Sequence, residues 1–129
     1  MNRAVETLKT CKVFHLATVE GDQPRVRPLA AVAEINGKLY ICSNNTKEFY
    51  KQMLANPKVE ISAMIKDDQW IRICGTVEQD TSTESKEEFL RQYPLPGYSA
   101  HDGIFEVFYF TKGTATISSF TAAPESFEI

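Results

Sequence analysis

From Pro24 to Asn45 the chain reads P-R-V-R-P-L-A-A-V-A-E-I-N-G-K-L-Y-I-C-S-N-N. Apolar residues run along both sides of Asn36-Gly37, and an Asn-Gly pair between two apolar runs is a strong signal for a tight β-hairpin turn. The stretch therefore predicts two antiparallel strands, residues 25–35 and 38–43, within a mainly β fold.

The flanking sequence adds helices and further strands to this hairpin. The pattern predicts helices over 2–11, 46–55 and 81–93, and strands over 13–19, 58–66, 69–79, 104–110 and 114–120. Helices placed singly among such strands favour a mainly antiparallel β-barrel with peripheral helices over repeated βαβ units. No linker rich in Gly, Pro or Ser interrupts the 129 residues, so we expect one domain, 1–129.

Composition excludes several classes of protein. The net charge of −3 argues against a general nucleic-acid binder, whose surface would be basic. No stretch has the length of an apolar membrane span, and the first residues lack the core of a signal peptide, so we expect a soluble cytoplasmic protein without a membrane partner.

Cys11, Cys42 and Cys74 form no C-x-x-C pair and are expected to be buried in a reducing compartment. Two isolated histidines, His15 and His101, predict no metal site.

Two arginines on the first strand of the hairpin indicate an anion site. In Pro24-Arg25-Val26-Arg27-Pro28 the strand period places Arg25 and Arg27 on one face, so both guanidinium groups can reach a common target. Two guanidinium forks suit a phosphate. The simpler interpretation is that alternate arginines form a solvated face.

The second strand leads into a polar segment at a predicted helix start. Asn45 and Glu48 have the spacing of a reciprocal helix cap, and Lys47 lies between them. Free backbone N–H groups, the hydroxyls of Ser43 and Thr46 and the Lys47 charge would then meet at one point. Taken alone, the segment is an ordinary cap; its place after the two arginines favours the anion site.

The strand from Ile104 to Phe110 carries apolar residues on both faces. A barrel interior covers only one of them, so the other needs a helix or a second subunit. We favour a homodimer over cover by a helix, because two-fold self-association is the commonest oligomeric arrangement.

The strand from Trp70 to Gly75 has a filled inner face. Ile71 and Ile73 occupy one side, so Trp70 and Arg72 point away from the core together. The pair fits either a plain interface or a stacking group and a charge beside a bound aromatic ligand.

Five segments together closely resemble the pyridoxamine 5′-phosphate oxidase-like, FMN-binding split-barrel proteins, in particular their short bacterial members. The segments are F-H-L-A-T-V-E-G-D-Q-P-R-V-R-P-L from Phe14, L-Y-I-C-S-N-N-T-K-E-F-Y-K-Q-M from Leu39, N-P-K-V-E-I-S from Asn56, W-I-R-I-C-G from Trp70 and Y-S-A-H-D-G-I-F-E-V-F-Y-F from Tyr98. The resemblance covers nearly the whole chain. It implies a split barrel of six or seven strands that dimerises, with two FMN molecules in clefts between the subunits.

The resemblance also implies roles for individual residues. It assigns the FMN phosphate to Arg27, Ser43 and Lys47, with Arg25 as a helper. It places the backbone of Pro28, Leu29 and Ala30 along the isoalloxazine edge, Asn44 near the phosphate or ribityl chain, and Trp70 and Arg72 where the partner subunit approaches the flavin. No residue is assigned a catalytic role.

The chain also departs from the family pattern. Pyridoxamine phosphate oxidases themselves resemble one another in a longer C-terminal segment whose Arg and His hold the substrate phosphate, and no such pair precedes Ile129. We therefore do not expect vitamin B6 oxidation. Short relatives commonly have A-D-D-G where this chain has Ala100-His101-Asp102-Gly103, and we interpret His101 as a solvated loop residue rather than a proton donor.

The resemblance implies an FMN-dependent oxidoreductase that passes electrons from a reduced nicotinamide donor to a small organic acceptor. Because the cofactor carries the electrons, the lack of an acid, base or nucleophile constellation is compatible with this activity. Nitroreductase-like proteins belong to the same family, so a nitroaromatic acceptor is implied by resemblance alone. The alternatives are a flavin-binding or electron-relay module without its own substrate and a haem or deazaflavin binder.

Overall fold

The computed structural model describes the whole chain, Met1–Ile129. Three helices and eight strands follow one another along it. In chain order they are α1 (Arg3–Cys11), β1 (Phe14–Glu20), β2 (Gln23–Leu29), β3 (Ala33–Ile35), β4 (Lys38–Asn44), α2 (Glu48–Ala55), β5 (Lys58–Lys66), β6 (Gln69–Asp80), α3 (Thr83–Gln92), β7 (Phe105–Ser119) and β8 (Glu125–Glu128). The predicted mainly β fold is confirmed.

All strand pairs are antiparallel, and the strands lie side by side in the order β2-β1-β5-β6-β7-β4-β3, with β8 also pairing with β7. The edge strands β2 and β3 are joined by residues 30–32 and do not pair with each other. The sheet therefore curls into a split barrel, as predicted, with its opening beside this short connection.

The barrel interior is filled by branched aliphatic side chains from alternate strand positions. Leu16, Ile41, Ile61, Ile71 and Ile73 are fully buried in one cluster. Helix α1 adds Ala4, Val5 and Leu8 to the same core; the Asn2 side chain caps its first turn by accepting a hydrogen bond from the Val5 N–H. The inward set thus follows the strand period of two that the sequence shows.

The region predicted as two strands, 104–110 and 114–120, is one continuous strand. Gly75 on β6 pairs directly with Gly113 on β7, and the β6–β7 register shifts between Thr76 and Val77. A Cβ at Gly75 would lie 2.4 Å from the Lys112 carbonyl oxygen. The two glycines let the paired strands approach closely at this point. In the sequence Gly113 resembles a turn residue, although it lies inside a strand.

Two further elements differ from prediction. The strand expected over 25–35 is divided into β2 and β3, because its first half pairs with β1 and its second half with β4. Strand β8 was not predicted, since Glu125–Glu128 is exposed apart from Phe127 and lacks an apolar alternation.

The second apolar face of the strand at 104–110 is covered by a helix, so its assignment to a dimer interface was wrong. Phe105 and Val107 pack with Phe89 of α3 in a second buried cluster, and all three are at most 1% exposed. Helix α3, predicted over 81–93, begins after the N-cap Ser82, whose hydroxyl oxygen accepts from the Ser85 N–H. The chain therefore covers this face itself.

The predicted burial of the three cysteines was also wrong. Cys74 is exposed, and Cys11 and Cys42 are only partly buried; all three are free thiols. His15 is exposed as well, because it lies on the outward-pointing side of β1. None of the helices has the length and apolar character needed to span a membrane.

Candidate cofactor site

A pocket of about 230 Å³ opens at the mouth of the split barrel. It lies between the connection of β2 to β3, the end of β4, the start of α2 and the segment that leads into β7. The structure brings five of the residues implied as cofactor contacts together in its lining: Leu29, Ala30, Ser43, Asn44 and Lys47. Nine of the twelve lining residues are apolar or aromatic, which suits a flat organic ring.

Arg27 lies beside this pocket, behind the ring of Phe49. Its guanidinium carbon is 5.0 Å from the Phe49 ring centre, and Phe49 lines the pocket. Nη1 donates to the Leu16 carbonyl oxygen at 3.1 Å and to Thr18 Oγ1 at 2.7 Å, and Nη2 donates to Gln52 Oε1 at 3.0 Å. Burial lowers the pKa of Arg27. The guanidinium is thus held by neutral partners only.

Arg25 lies on the same face of β2, as predicted, but its charge is already paired. Arg25 pairs with Thr18 of β1 and Arg27 pairs with Leu16, two residues apart, so both arginines lie on one face. Arg25 Nη2 and Nε lie 2.9 and 3.0 Å from Glu20 Oε1, and the pair is about half exposed. Arg25 is therefore less available to a ligand anion than Arg27.

Helix α2 begins later than predicted, and the proposed Asn45–Glu48 cap is absent. Lys47 is the N-cap residue and no side chain caps the helix. The Asn45 amide instead donates to the Gly103 carbonyl oxygen and to Glu106. Asn44 Oδ1 accepts from the backbone N–H and the hydroxyl of Thr46, which forms a turn before the helix. The exposed Lys47 thus stands at an uncapped helix start.

Asn44 is fixed between this turn and the far wall of the pocket. Its Nδ2 donates to the Tyr98 hydroxyl at 2.7 Å, and its side chain is buried. The neighbouring Ser43 hydroxyl donates to the Asn44 carbonyl oxygen at 3.2 Å. Both residues therefore line the pocket in a defined orientation.

The remaining implied contacts lie on the other side of the sheet. Pro28 pairs with His15 and is exposed on the outward side of β2. Trp70 and Arg72 point outward from β6, as predicted, while Ile71 and Ile73 between and beyond them are buried. Trp70 packs against Phe120 with ring centres 5.2 Å apart, and Arg72 is 3.9 Å from Glu60. Within one chain, these residues do not line the pocket.

Seven lining residues were not predicted from the sequence. They are Ala31, Cys42, Phe49, Tyr93, Leu95, Tyr98 and Phe105. Burial raises the pKa of the Cys42 thiol to about 12, and the nearby Lys47 charge only partly opposes this. The Tyr-Pro-Leu-Pro-Gly-Tyr run from Tyr93 could have signalled an ordered aromatic loop, but nothing in the sequence says against which strand it packs.

Comparison with known proteins identifies relatives of the whole fold. A family model described as Pyridoxamine 5′-phosphate oxidase matches residues 1–108. No curated protein matches the sequence. The crystal structure of a NimC/NimA family protein from Clostridium acetobutylicum is 58% identical, with a TM-score of 0.94, and the match covers 98% of this chain and 91% of that chain.

Two more distant structures share the fold. A haem-binding protein from Mycobacterium smegmatis has a TM-score of 0.74 at 15% identity, with 98% of this chain and 58% of that chain covered. A pyridoxamine 5′-phosphate oxidase-related, FMN-binding protein from Nostoc punctiforme has a TM-score of 0.59 at 14% identity, with 96% and 90% covered. The family model matches most of the chain, and the 58% identity extends over nearly its full length. The chain therefore belongs to the pyridoxamine 5′-phosphate oxidase family.

Proposed function

We propose that this chain is an FMN-binding flavoprotein that acts as an oxidoreductase. The observation that carries the proposal is an unpaired cation in the pocket lining, Lys47, with a second one, Arg27, beside Phe49 of the same lining. The Arg27 guanidinium stacks on the Phe49 ring, and Lys47 is the N-cap residue of α2. Neither cation takes part in an ion pair. An apolar pocket beside two unpaired cations suits a ligand with a flat ring and a phosphate.

The residues present fit such a cofactor by their chemistry. Lys47 and Arg27 would hold the phosphate, with Ser43 and Asn44 offering hydroxyl and amide groups beside it. The apolar lining that includes Leu29 and Ala30 would face the ring and exclude water. FMN, when bound, would accept a hydride from a reduced nicotinamide donor and pass two electrons to a small organic acceptor. The protein's own part is then to bind, orient and shield.

We further propose that the site is completed by a second copy of the chain. A pocket of about 230 Å³ is below the roughly 300–1,000 Å³ of typical ligand pockets. One side of the sheet also presents apolar side chains to solvent: Val26, Met64, Trp70 and Phe120, which with Arg72 we call the outer face. A two-fold dimer would bury the outer face. In that dimer Trp70 and Arg72 would approach the partner's pocket, as the family resemblance implies.

The geometry supports the two alternative functions to different degrees. Neither His15 nor His101 lines the pocket, so a haem there would lack the axial histidine that many haem proteins use. A flavin carrier without its own reaction would use the same pocket, and only the turnover of a donor separates it from an enzyme.

The test is a spectrum followed by turnover. Protein purified from cells supplied with riboflavin is heated, and the released ligand is identified by its absorption spectrum and by chromatography against FMN, haem and deazaflavin standards. Release of FMN supports the proposal, and release of haem contradicts it. Protein that is purified without a chromophore and binds no FMN when FMN is added also contradicts it. Oxidation of reduced nicotinamide that rises with added acceptor supports an oxidoreductase, whereas bound FMN that the nicotinamide does not reduce indicates a carrier.

The dimer is tested separately by light scattering at micromolar concentration. The wild-type chain should give twice the mass of its 14.6 kDa monomer. Met64→Lys on the outer face should shift it to the monomer, whereas Lys9→Glu on the exposed side of α1 should not. A wild-type monomer at this concentration would contradict the dimer.

A further inference from the structure

The guanidinium of Arg27 is surrounded by oxygen atoms that carry no net charge. Its acceptors are a backbone carbonyl, the Thr18 hydroxyl and the Gln52 side-chain amide. None of the chain's ion pairs includes Arg27. The cation is therefore fixed in place while its charge stays unneutralised.

The two side chains that hold Arg27 are themselves held tightly. Thr18 is 1% exposed and Gln52 is 6% exposed. The Thr18 hydroxyl donates to Gln52 Oε1 at 2.6 Å, so this one oxygen accepts from both Thr18 and Arg27. Thr18 comes from β1 and Gln52 from α2, so the contacts join the sheet to the helix that begins at the pocket. Buried, interlinked partners of this kind set the position of a side chain rather than follow it.

A neutral partner for a partly buried cation needs a reason, because an unpaired charge out of water is unfavourable. The same strand shows the usual solution two residues away, where Glu20 neutralises Arg25. A glutamate in place of Gln52 would have nearly the same shape and would pair with Arg27 in the same way. The neutral amide leaves that partnership open to an anion from outside.

We propose that Thr18 and Gln52 are positioning residues that hold Arg27 unneutralised, and that Gln52 thereby determines the preference for a phosphorylated ligand over its unphosphorylated form. This inference rests on the proposed function, since it assumes that the ligand phosphate meets Arg27. It adds that selectivity for the phosphate is set by the absence of a negative charge at position 52.

The decisive variant is Gln52→Glu, which changes one amide to a carboxylate. Titration with FMN and with riboflavin, which has the same ring and no phosphate, separates phosphate recognition from ring binding. We expect FMN affinity to fall about ten- to a hundredfold, as for loss of a charge-assisted contact, while riboflavin affinity changes less than about twofold. Leu54→Glu is the matched control, because it adds the same charge to α2 at a residue that is 52% exposed and on another side of the helix.

Two Thr18 variants test the positioning role. Thr18→Ser keeps the hydroxyl and should retain the ratio of FMN to riboflavin affinity, whereas Thr18→Val removes the hydroxyl and should lower it. Thermal melts without ligand identify any variant that fails to fold. A role limited to stability would lower both affinities together or neither.

Inorganic phosphate gives a readout that does not depend on flavin. The melting temperature of the flavin-free wild type should rise with phosphate more than with chloride at equal ionic strength, and Gln52→Glu should lose this difference. Equal effects of Gln52→Glu on FMN and riboflavin, or unchanged FMN affinity, would overturn the inference and leave FMN binding intact. Failure of the wild type to bind FMN would contradict the proposed function, and the phosphate melts would then decide the inference alone.

Discussion

Two regions of this molecule have strands with apolar side chains on the side away from the barrel interior. In only one of them does another part of the chain bury those side chains. At the start of β7, Phe105 and Val107 are 1% and 0% exposed because α3 lies over them. On the outer face, Val26 and Phe120 are 67% and 79% exposed. The strand that is apolar on both faces, β7 at its start, is thus buried on both, and the exposed apolar side chains lie on the outer face instead. Alternation along a strand shows that a face needs cover, and the path of the chain decides whether the cover comes from within.

Truncation of one aromatic in each region gives the largest expected contrast. Phe105→Ala should lower the free energy of unfolding by roughly 3–5 kcal/mol, because it leaves a cavity in a packed cluster. Phe120→Ala should change it by about 0.5 kcal/mol or less in the monomer, as expected for a surface position. Urea denaturation in a Met64→Lys background, which removes association through the outer face, measures both.

Comparable losses in the two variants would mean that the regions do not differ as the exposures indicate. Phe105 also lines the pocket, so its truncation should be examined for folding before any ligand is added.

The pocket beside the covered region allows a second contrast, between the two arginines of β2. Arg27→Ala and Lys47→Ala should each weaken FMN binding by roughly 1.5–3 kcal/mol, through loss of a charge-assisted contact to phosphate. Arg25→Ala should have a smaller effect, since Glu20 already pairs with Arg25. Flavin titration monitors all three variants; unchanged affinity in both Arg27→Ala and Lys47→Ala would remove the phosphate site.

A third prediction asks whether the outer face completes the pocket of a second copy. Trp70 is the only tryptophan, so FMN binding should quench the protein's tryptophan emission if indole and flavin lie close in the dimer. Trp70→Ala should weaken FMN by roughly 1–3 kcal/mol, the range for loss of an aromatic stacking partner. If saturating FMN leaves the tryptophan emission unchanged and Trp70→Ala binds FMN as tightly as the wild type, Trp70 does not contact the flavin and serves only in packing at the interface.

Much of the barrel could be predicted because strands such as β1, β5 and β6 alternate buried and more exposed residues with the period of two. Ile71 and Ile73 are buried while Trp70 and Arg72 point outward, as alternation requires. The continuity of β7 through Gly113 could not be predicted, because a glycine that allows two strands to approach looks the same in sequence as a glycine in a turn.

The site was predicted in part for a similar reason. Ser43, Asn44 and Lys47 follow one another along the chain, so a local motif identifies them. Phe49 and Tyr98 contribute only through tertiary contacts, Phe49 under Arg27 and Tyr98 with Asn44. The failed Asn45–Glu48 cap shows the same limit, since the Asn45 amide bonds to Gly103 and Glu106, about sixty residues away. The Asn45 side chain is thus used by distant partners instead of the local cap.

The smallest expected effect concerns a hydrogen bond at the rim of the covered region. Tyr40, which belongs to that buried cluster, donates its hydroxyl to Asp80 Oδ2 at 2.6 Å. Burial favours the protonated carboxyl of Asp80, but hydrogen bonds from Ser85, Tyr40 and Ser82 outweigh it and lower its pKa to about 2. Because the folded pKa lies below the unfolded value of about 3.9, this contribution is present above pH 4 and is lost as pH falls toward 2.

Asp80→Asn isolates that contribution, since the amide keeps the shape and an acceptor oxygen but does not ionise. At pH 7 the variant should be less stable than the wild type by less than about 1 kcal/mol, because the carboxylate is partly exposed and screened by solvent. Between pH 4 and 2 the gap in the free energy of unfolding should close, as the wild-type carboxylate takes up a proton and the variant does not. Urea denaturation across this range checks the sign directly. A gap that widens on acidification would show that burial, and not the hydrogen bonds to its carboxylate, dominates the pKa of Asp80.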